Sequence, residues 1–145
     1  MPGSVHATCV ALRHRRTWHA VLLRGPSGAG KSDLALRLME AGARLVADDR
    51  TTLDRAGNAV MASAPASIAG LLEVRGLGIR RLPRNQLLAQ AAVVLLVDLV
   101  PPDAIERLPE PEHEALLGID LPVLKLAAFE ASSCAKLRLA VAMRV

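Results

Sequence analysis

Apolar and polar positions along the chain follow two periods, and the points where one period gives way to the other mark its elements. Residues 4–12 and 18–23 are apolar runs of strand length separated by Arg13-His14-Arg15-Arg16. They read as a β-hairpin with a solvated basic tip. From Lys31 to Ala41 the spacing becomes helical: Leu34, Leu38 and Ala41 share a face, as do Ala35 and Met39, while Asp33, Arg37 and Glu40 are free to meet water. Gly42 follows as the C-terminal stop. Residues 43–49 form the next strand and 51–61 a hairpin turning at Ala56-Gly57-Asn58; Pro65 to Ala69 is a short helical turn. Residues 90–99 read as a buried strand broken by Pro101-Pro102, and 105–114 as a surface connection. Short strands at 116–118 and 121–126 and a closing helix over 130–143, started by Ala131-Ser132-Ser133, complete a single 145-residue α/β domain without internal repeats.

Between the second strand and the first helix stands Gly25-Pro26-Ser27-Gly28-Ala29-Gly30-Lys31-Ser32, which matches the phosphate-loop pattern G-x-x-x-x-G-K-[ST] at every fixed position. The flanking strand and helix are the context in which that pattern has mechanical meaning. Glycines let backbone N–H groups close around phosphate oxygens, and the helix N-terminus adds partial positive charge. Lys31 is placed to reach the terminal phosphates of a nucleoside triphosphate, and the Ser32 hydroxyl to bind Mg²⁺, the ion with which a triphosphate is handled. The alternative is a glycine-rich turn that merely joins strand to helix.

Composition narrows the field. Trp18 and Phe129 are the only aromatic residues, so the core must be aliphatic, and the stacking platforms of a single-strand nucleic-acid binder are missing. The net charge of +4 is dispersed apart from the hairpin tip and Arg80, Arg81 and Arg84, and a phosphorylated ligand accounts for it as well as a nucleic acid does. Cys9 and Cys134 have no metal-ligand spacing, no signal-peptide pattern opens the chain, and the apolar run 91–97 is too short to span a bilayer. A cytoplasmic protein without membrane or nucleic-acid partners is expected.

Further chemistry gathers after the loop. Asp48 and Asp49 end a strand one crossover after the phosphate loop, which makes that strand parallel to the loop's own and brings both carboxylates to the ligand edge of the sheet. Adjacent strand residues point to opposite faces, so one carboxylate is expected near the metal or Ser32 and the other free to handle a proton. Glu73 and Arg75 lie two apart in an apolar, glycine-containing stretch and would share one face of an extended segment; a cross-strand charge pair is the plain reading. His6, alone near the start of the first strand, is on its own more often structural than catalytic.

Three separated stretches coincide with one family. Ser4-Val5-His6, the run from Gly25 through Asp49, and Leu72-Glu73-Val74-Arg75-Gly76-Leu77-Gly78-Ile79 resemble the catalytic domain of HPr kinase/phosphorylase, the enzyme that phosphorylates a serine of the phosphocarrier protein HPr and removes that phosphate. The resemblance implies a P-loop-containing domain similar to the phosphoenolpyruvate carboxykinase-like fold, a mixed sheet with flanking helices, and a short form without the family's N-terminal domain. It implies ATP and Mg²⁺ as cofactors, HPr as protein substrate, a homohexamer, and a role in regulating carbohydrate metabolism through the phosphotransferase system. Residue by residue, it makes His6 the active-site histidine, Lys31 the phosphate-binding lysine, Ser32 and Glu73 the magnesium ligands with Asp48 beside them, Asp49 the proton acceptor, and Arg107 the later catalytic arginine. Two departures stand out. The interval from His6 to the loop is longer than in the family, and Ala127-Ala128-Phe129-Glu130-Ala131 replaces a basic Pro-Gly segment tied to dephosphorylation, so kinase activity is better supported than phosphorylase activity. A small-molecule kinase and a non-catalytic nucleotide-binding regulator are the rival readings.

Overall fold

The computed structural model describes residues 3–145. Strands β1 (Gly3–Val5), β2 (Thr8–His14) and β3 (Thr17–Arg24) lead into helix α1 (Lys31–Glu40); β4 (Arg44–Ala47), β5 (Thr51–Ala56), β6 (Ala59–Ser63), β7 (Leu71–Val74), β8 (Gly78–Arg81) and β9 (Gln90–Leu99) follow. The chain closes with β10 (Glu112–Leu116), β11 (Ile119–Leu126) and helix α2 (Ser133–Arg144). Nine strands form one mixed sheet in the order β1-β5-β6-β9-β3-β2-β4, with β11 also pairing β9 and β10 outside it, while β7 and β8 form a separate ribbon.

Local chemistry accounts for most of these elements. The β2–β3 turn places Arg15 and Arg16 at φ 51° and 68°, the pair of positive values that a two-residue hairpin turn needs to match strand twist. Helix α1 ends where Gly42 takes φ 102°. There the Ala43 and Gly42 N–H groups return to the Leu38 and Met39 carbonyls at 3.0 Å each, a Schellman arrangement that glycine alone enters without strain.

Four expectations change in three dimensions. The run 4–12 is two strands, β1 pairing β5 and β2 pairing β3, because the chain leaves the ladder at His6 and Ala7. At the break, the buried Thr51 hydroxyl donates to the Ala7 carbonyl at 2.9 Å, taking the place of a ladder bond. Strand β4 does run parallel to β3, but β2 lies between them, antiparallel to both. Arg75 is not on an extended face with Glu73: Gly76 and Gly78, at φ 88° and 86°, fold residues 75–77 into the turn of the β7–β8 ribbon. Finally, 116–118 is no strand of its own. Leu117 and Gly118, at φ 50° and 80°, make the turn of a β10–β11 hairpin that begins at Glu112, inside the expected surface connection.

Two apolar clusters cover the two faces of the sheet. Val10, Leu12, Val21, Leu23, Leu95 and Val97 pack with Leu34, Leu38 and Leu137 of the helices. The other cluster, which includes Cys9, Ala20, Leu22, Leu53, Val60 and Leu96, takes no residue from either helix. Both helices therefore flank the same face. The switch within β9 is made at Val94, where the register with β3 slips: Ala91 and Val93 face the helix-free cluster, whereas Leu95, Val97 and Leu99 face the helices. A one-residue bulge reverses the alternation of everything after it.

Candidate active site

Strands β3, β4, β9 and β11 all run in one direction, because β9 pairs in parallel with both β3 and β11, and β2 relates β3 to β4 through two antiparallel ladders. Their carboxyl ends share one edge of the sheet, where ligands of such sheets bind. The loop 25–32 leaves the end of β3 and enters α1 at Gly30, whose φ of 100° no side chain caps. The first backbone bond of the helix runs from the Leu34 N–H to the Gly30 carbonyl at 2.9 Å, so the preceding amides have no partner within the helix. Lys31 is buried, and its ammonium donates to the Gly25 and Pro26 carbonyls at 2.6 and 3.1 Å, which holds the charge inside the loop. Gly25 and Gly30 are demanded by packing as well as by phosphate geometry. A Cβ on Gly25 would come within 2.9 Å of the Ala29 Cβ, and one on Gly30 within 2.7 Å of the Phe129 ring and 2.8 Å of the Ala128 Cβ.

Across from the loop, β4 ends at Ala47, so Asp48 and Asp49 are not the alternating strand residues expected, and a turn separates them. Asp48 is buried and accepts three hydrogen bonds: from the Ser32 hydroxyl at 2.7 Å, the Thr8 hydroxyl at 2.9 Å, and the Glu73 N–H at 3.0 Å. Asp49 has φ 67°, and the Arg50 N–H closes back on the Asp48 carbonyl at 2.7 Å, a three-residue turn. A non-glycine residue held there stores about 1–3 kcal/mol of strain and needs surrounding contacts to over-determine it. Thr8 supplies one, since its hydroxyl oxygen also accepts from the Asp49 N–H at 3.2 Å. The turn sends Asp49 outward. Its carboxylate lies 2.9 Å from His6 Nε2, with the two side chains 72% and 56% exposed. An ionised carboxylate can only accept, so Nε2 carries the proton and donates. At that exposure the pair orients Asp49 and adds little to stability.

Asp48 thus lies against Ser32 and Asp49 against His6. Glu73 joins through its backbone; its side chain is exposed and makes no hydrogen bond or ion pair among the described residues. Arg107 is not brought to this cluster by any contact among the described residues: it is exposed in the irregular segment before β10. No group of three or more His, Cys, Asp or Glu side chains there is arranged to hold a metal ion. Magnesium does not require one, because it keeps several waters and takes one or two protein oxygens plus substrate phosphates. The Ser32 hydroxyl and the Asp48 carboxylate, 2.7 Å apart beside the loop, form a donor set of that kind.

Sequence reading missed two residues here. Thr8 links Asp48 to the Asp49 backbone, and nothing in its neighbourhood in the chain signals this. Arg24, the last residue of β3, pairs with Asp98 of β9 at 2.8 Å and with Glu114 of β10 at 2.7 Å, anchoring the strand end from which the loop departs. Hydrogen bonds from Arg24 hold the Glu114 carboxyl below its ordinary value, and the Glu114 and Asp98 carboxylates push the guanidinium further up. An arginine closing an apolar run was the available signal. Burial alone pushes the Cys9 thiol up, out of reach of thiolate chemistry.

The model of the HPr serine kinase C-terminal domain matches residues 4–145. The chain belongs to that family. Relatives named HPr kinase/phosphorylase include one from Prosthecochloris aestuarii, 38% identical over 73% of this chain and 34% of its own length. Another, from Geobacillus thermodenitrificans, is 38% identical over 73% of this chain and 37% of its own length. The chain therefore spans about a third of the length of these curated relatives. In three dimensions it is similar to the HPr(Ser) kinase/phosphatase from Coxiella burnetii, with a TM-score of 0.79 and 26% identity, covering 98% of this chain and 88% of that one. The mixed sheet with its two helices is thus this family's C-terminal domain architecture. No helix among the described residues is long and apolar enough to cross a membrane.

Proposed function

We propose that residues 1–145 act as a P-loop kinase domain, related in fold to the phosphoenolpyruvate carboxykinase-like group, that transfers the γ-phosphoryl of ATP to a serine of an HPr-type phosphocarrier. The observation that carries this reading is the splitting of adjacent carboxylates: Asp48 locked against Ser32 at the phosphate loop, Asp49 strained outward beside His6. Loop amides and Lys31 hold the β- and γ-phosphates, and the Lys31 ammonium exchanges its carbonyl partners for phosphate oxygens. Asp49, kept in place by His6 and Thr8, accepts the serine proton as the serine oxygen bonds to the γ-phosphorus and the bond from phosphorus to the β–γ bridging oxygen breaks, leaving ADP. Ser32 and Asp48, with Glu73 at the rim, would hold Mg²⁺. Bound there, the ion would neutralise charge on the phosphate oxygens. In the reverse direction inorganic phosphate bonds to the phosphoserine phosphorus, the bond from phosphorus to the serine oxygen breaks as Asp49 returns the proton to that oxygen, and pyrophosphate leaves, although Phe129-Glu130 in the segment before α2 offers that reaction no cation.

The reading extends to a cytoplasmic homo-oligomer, a hexamer by family resemblance, acting in control of the phosphotransferase system; Arg107 would join the site from its exposed segment. The decisive experiment incubates the protein with γ-labelled ATP, magnesium and the HPr of the same organism, followed by mapping of the labelled residue. Label on one HPr serine supports the proposal. ATP bound without any transfer points to a regulator, and ATP consumed only with an added metabolite points to a small-molecule kinase.

A further inference from the structure

The phosphate loop has a second side. Residues 26–29 form one wall of a cleft of about 390 Å³, whose other walls are residues 99–102, at the end of β9, and 127–130, just past β11. All three walls lie at the carboxyl ends of parallel strands, so the cleft continues the edge that carries the loop and Asp48. Its lining is apolar except for Ser27 and Glu130, and the Glu130 carboxylate already faces Lys136 at 3.3 Å. Volume and lining fall in the range of small-molecule pockets, about 300–1,000 Å³. Phe129, one of only two aromatic residues in the chain, stands in this cleft with 69% of its surface exposed and belongs to neither apolar cluster. Its ring lies against Gly30, where a Cβ would approach Cζ to 2.7 Å.

From these observations we infer that the cleft is the nucleobase subsite and that Phe129 is its stacking platform. The inference deepens the kinase reading and rests on it, since the occupant is the base of the nucleotide whose phosphates the loop holds. The argument for that occupant is continuity: residues 26–29 are at once loop and cleft wall, and the ring touches the residue at which the helix-end amides begin. An aromatic face left in the open beside a phosphate cradle suits a flat heterocycle, and stacking requires no fixed donors or acceptors, of which the side chains here offer almost none. Phe129 is thus a binding residue that positions the nucleotide, apart from the groups that move the proton.

The test separates base from phosphates by comparing ATP with inorganic tripolyphosphate, each with magnesium, by calorimetry. Phe129→Ala should weaken ATP roughly 5- to 150-fold, the range for losing one stacked base, while leaving tripolyphosphate affinity unchanged. Phe129→Trp should retain ATP affinity. Equal weakening of both ligands would mean that the ring only props the loop, and an unchanged ATP affinity would mean that the base lies elsewhere; either result overturns the subsite. A rise confined to the KM for HPr would overturn it in favour of a peptide-docking role. Failure of the kinase reading looks different, because the wild-type protein would then transfer no label to HPr, whatever Phe129→Ala does to ATP and tripolyphosphate binding.

Discussion

The phosphate loop and the carboxylate cluster sit on the same sheet edge but are built in opposite ways. The loop is local: its glycines, lysine and Ser32 fall within eight consecutive residues, and its lysine is held by carbonyls five and six residues away. The cluster is assembled from Thr8, Ser32, Asp48 and Glu73, whose hydrogen bonds span 16 to 40 residues of chain. A local site tolerates change elsewhere in the fold, whereas an assembled one depends on every strand that delivers a member.

The sharpest test of that contrast begins within the loop. Lys31→Ala is expected to reduce phosphoryl transfer below detection while leaving the circular dichroism spectrum native, since its partners are loop carbonyls and not core side chains. Near-normal turnover would remove the loop from the mechanism. Asp49→Asn should cost about 10²–10⁴-fold in turnover with magnesium-ATP affinity retained, the usual scale for a positioned base. If that variant loses nucleotide binding while Asp48→Asn loses only turnover, the two aspartates have exchanged roles.

Thr8→Val probes the assembled half without removing a charge. It preserves shape, leaves the Asp49 N–H without its partner and takes one of three donors from Asp48. Denaturant unfolding should register a loss of about 1–3 kcal/mol, and the magnesium dependence of activity should move to higher concentration. Unchanged stability and magnesium response would show that the cluster is held by β4 alone.

The smallest effect is expected at Arg24. Glu114 has its folded pKa lowered from 4.5 by Arg24, so its contribution is fully present above about pH 4.5 and fades as pH falls through the lower folded value. With both partners partly exposed, Glu114→Gln should cost about 1 kcal/mol or less near neutrality, and the difference from wild type should vanish in strongly acidic buffer. A difference that grows on acidification would contradict the pairing.

Elements and chemistry that rest on neighbouring residues could be read from the chain. Helix α1 and its Schellman stop were legible because 3.6-residue periodicity and a C-terminal glycine act within a few turns. The loop was legible for the same reason; the split between Asp48 and Asp49 was expected from strand alternation, but the positive-φ turn at Asp49, past the end of β4, is what makes it. What followed from long-range pairing was not. The run 91–97 is apolar throughout, so its pattern could not reveal the bulge at Val94 that turns Leu95, Val97 and Leu99 toward the helices. Nothing local marks the insertion of β2 between β3 and β4, yet that insertion is what sets Thr8 against Asp48. The approach of Phe129 to Gly30, 99 residues apart, likewise exists only because β11 runs parallel to β9 and ends at the loop's edge. Local propensity specifies backbone conformation, but the choice of neighbours is made by the packing of two apolar faces, and that choice completes the site.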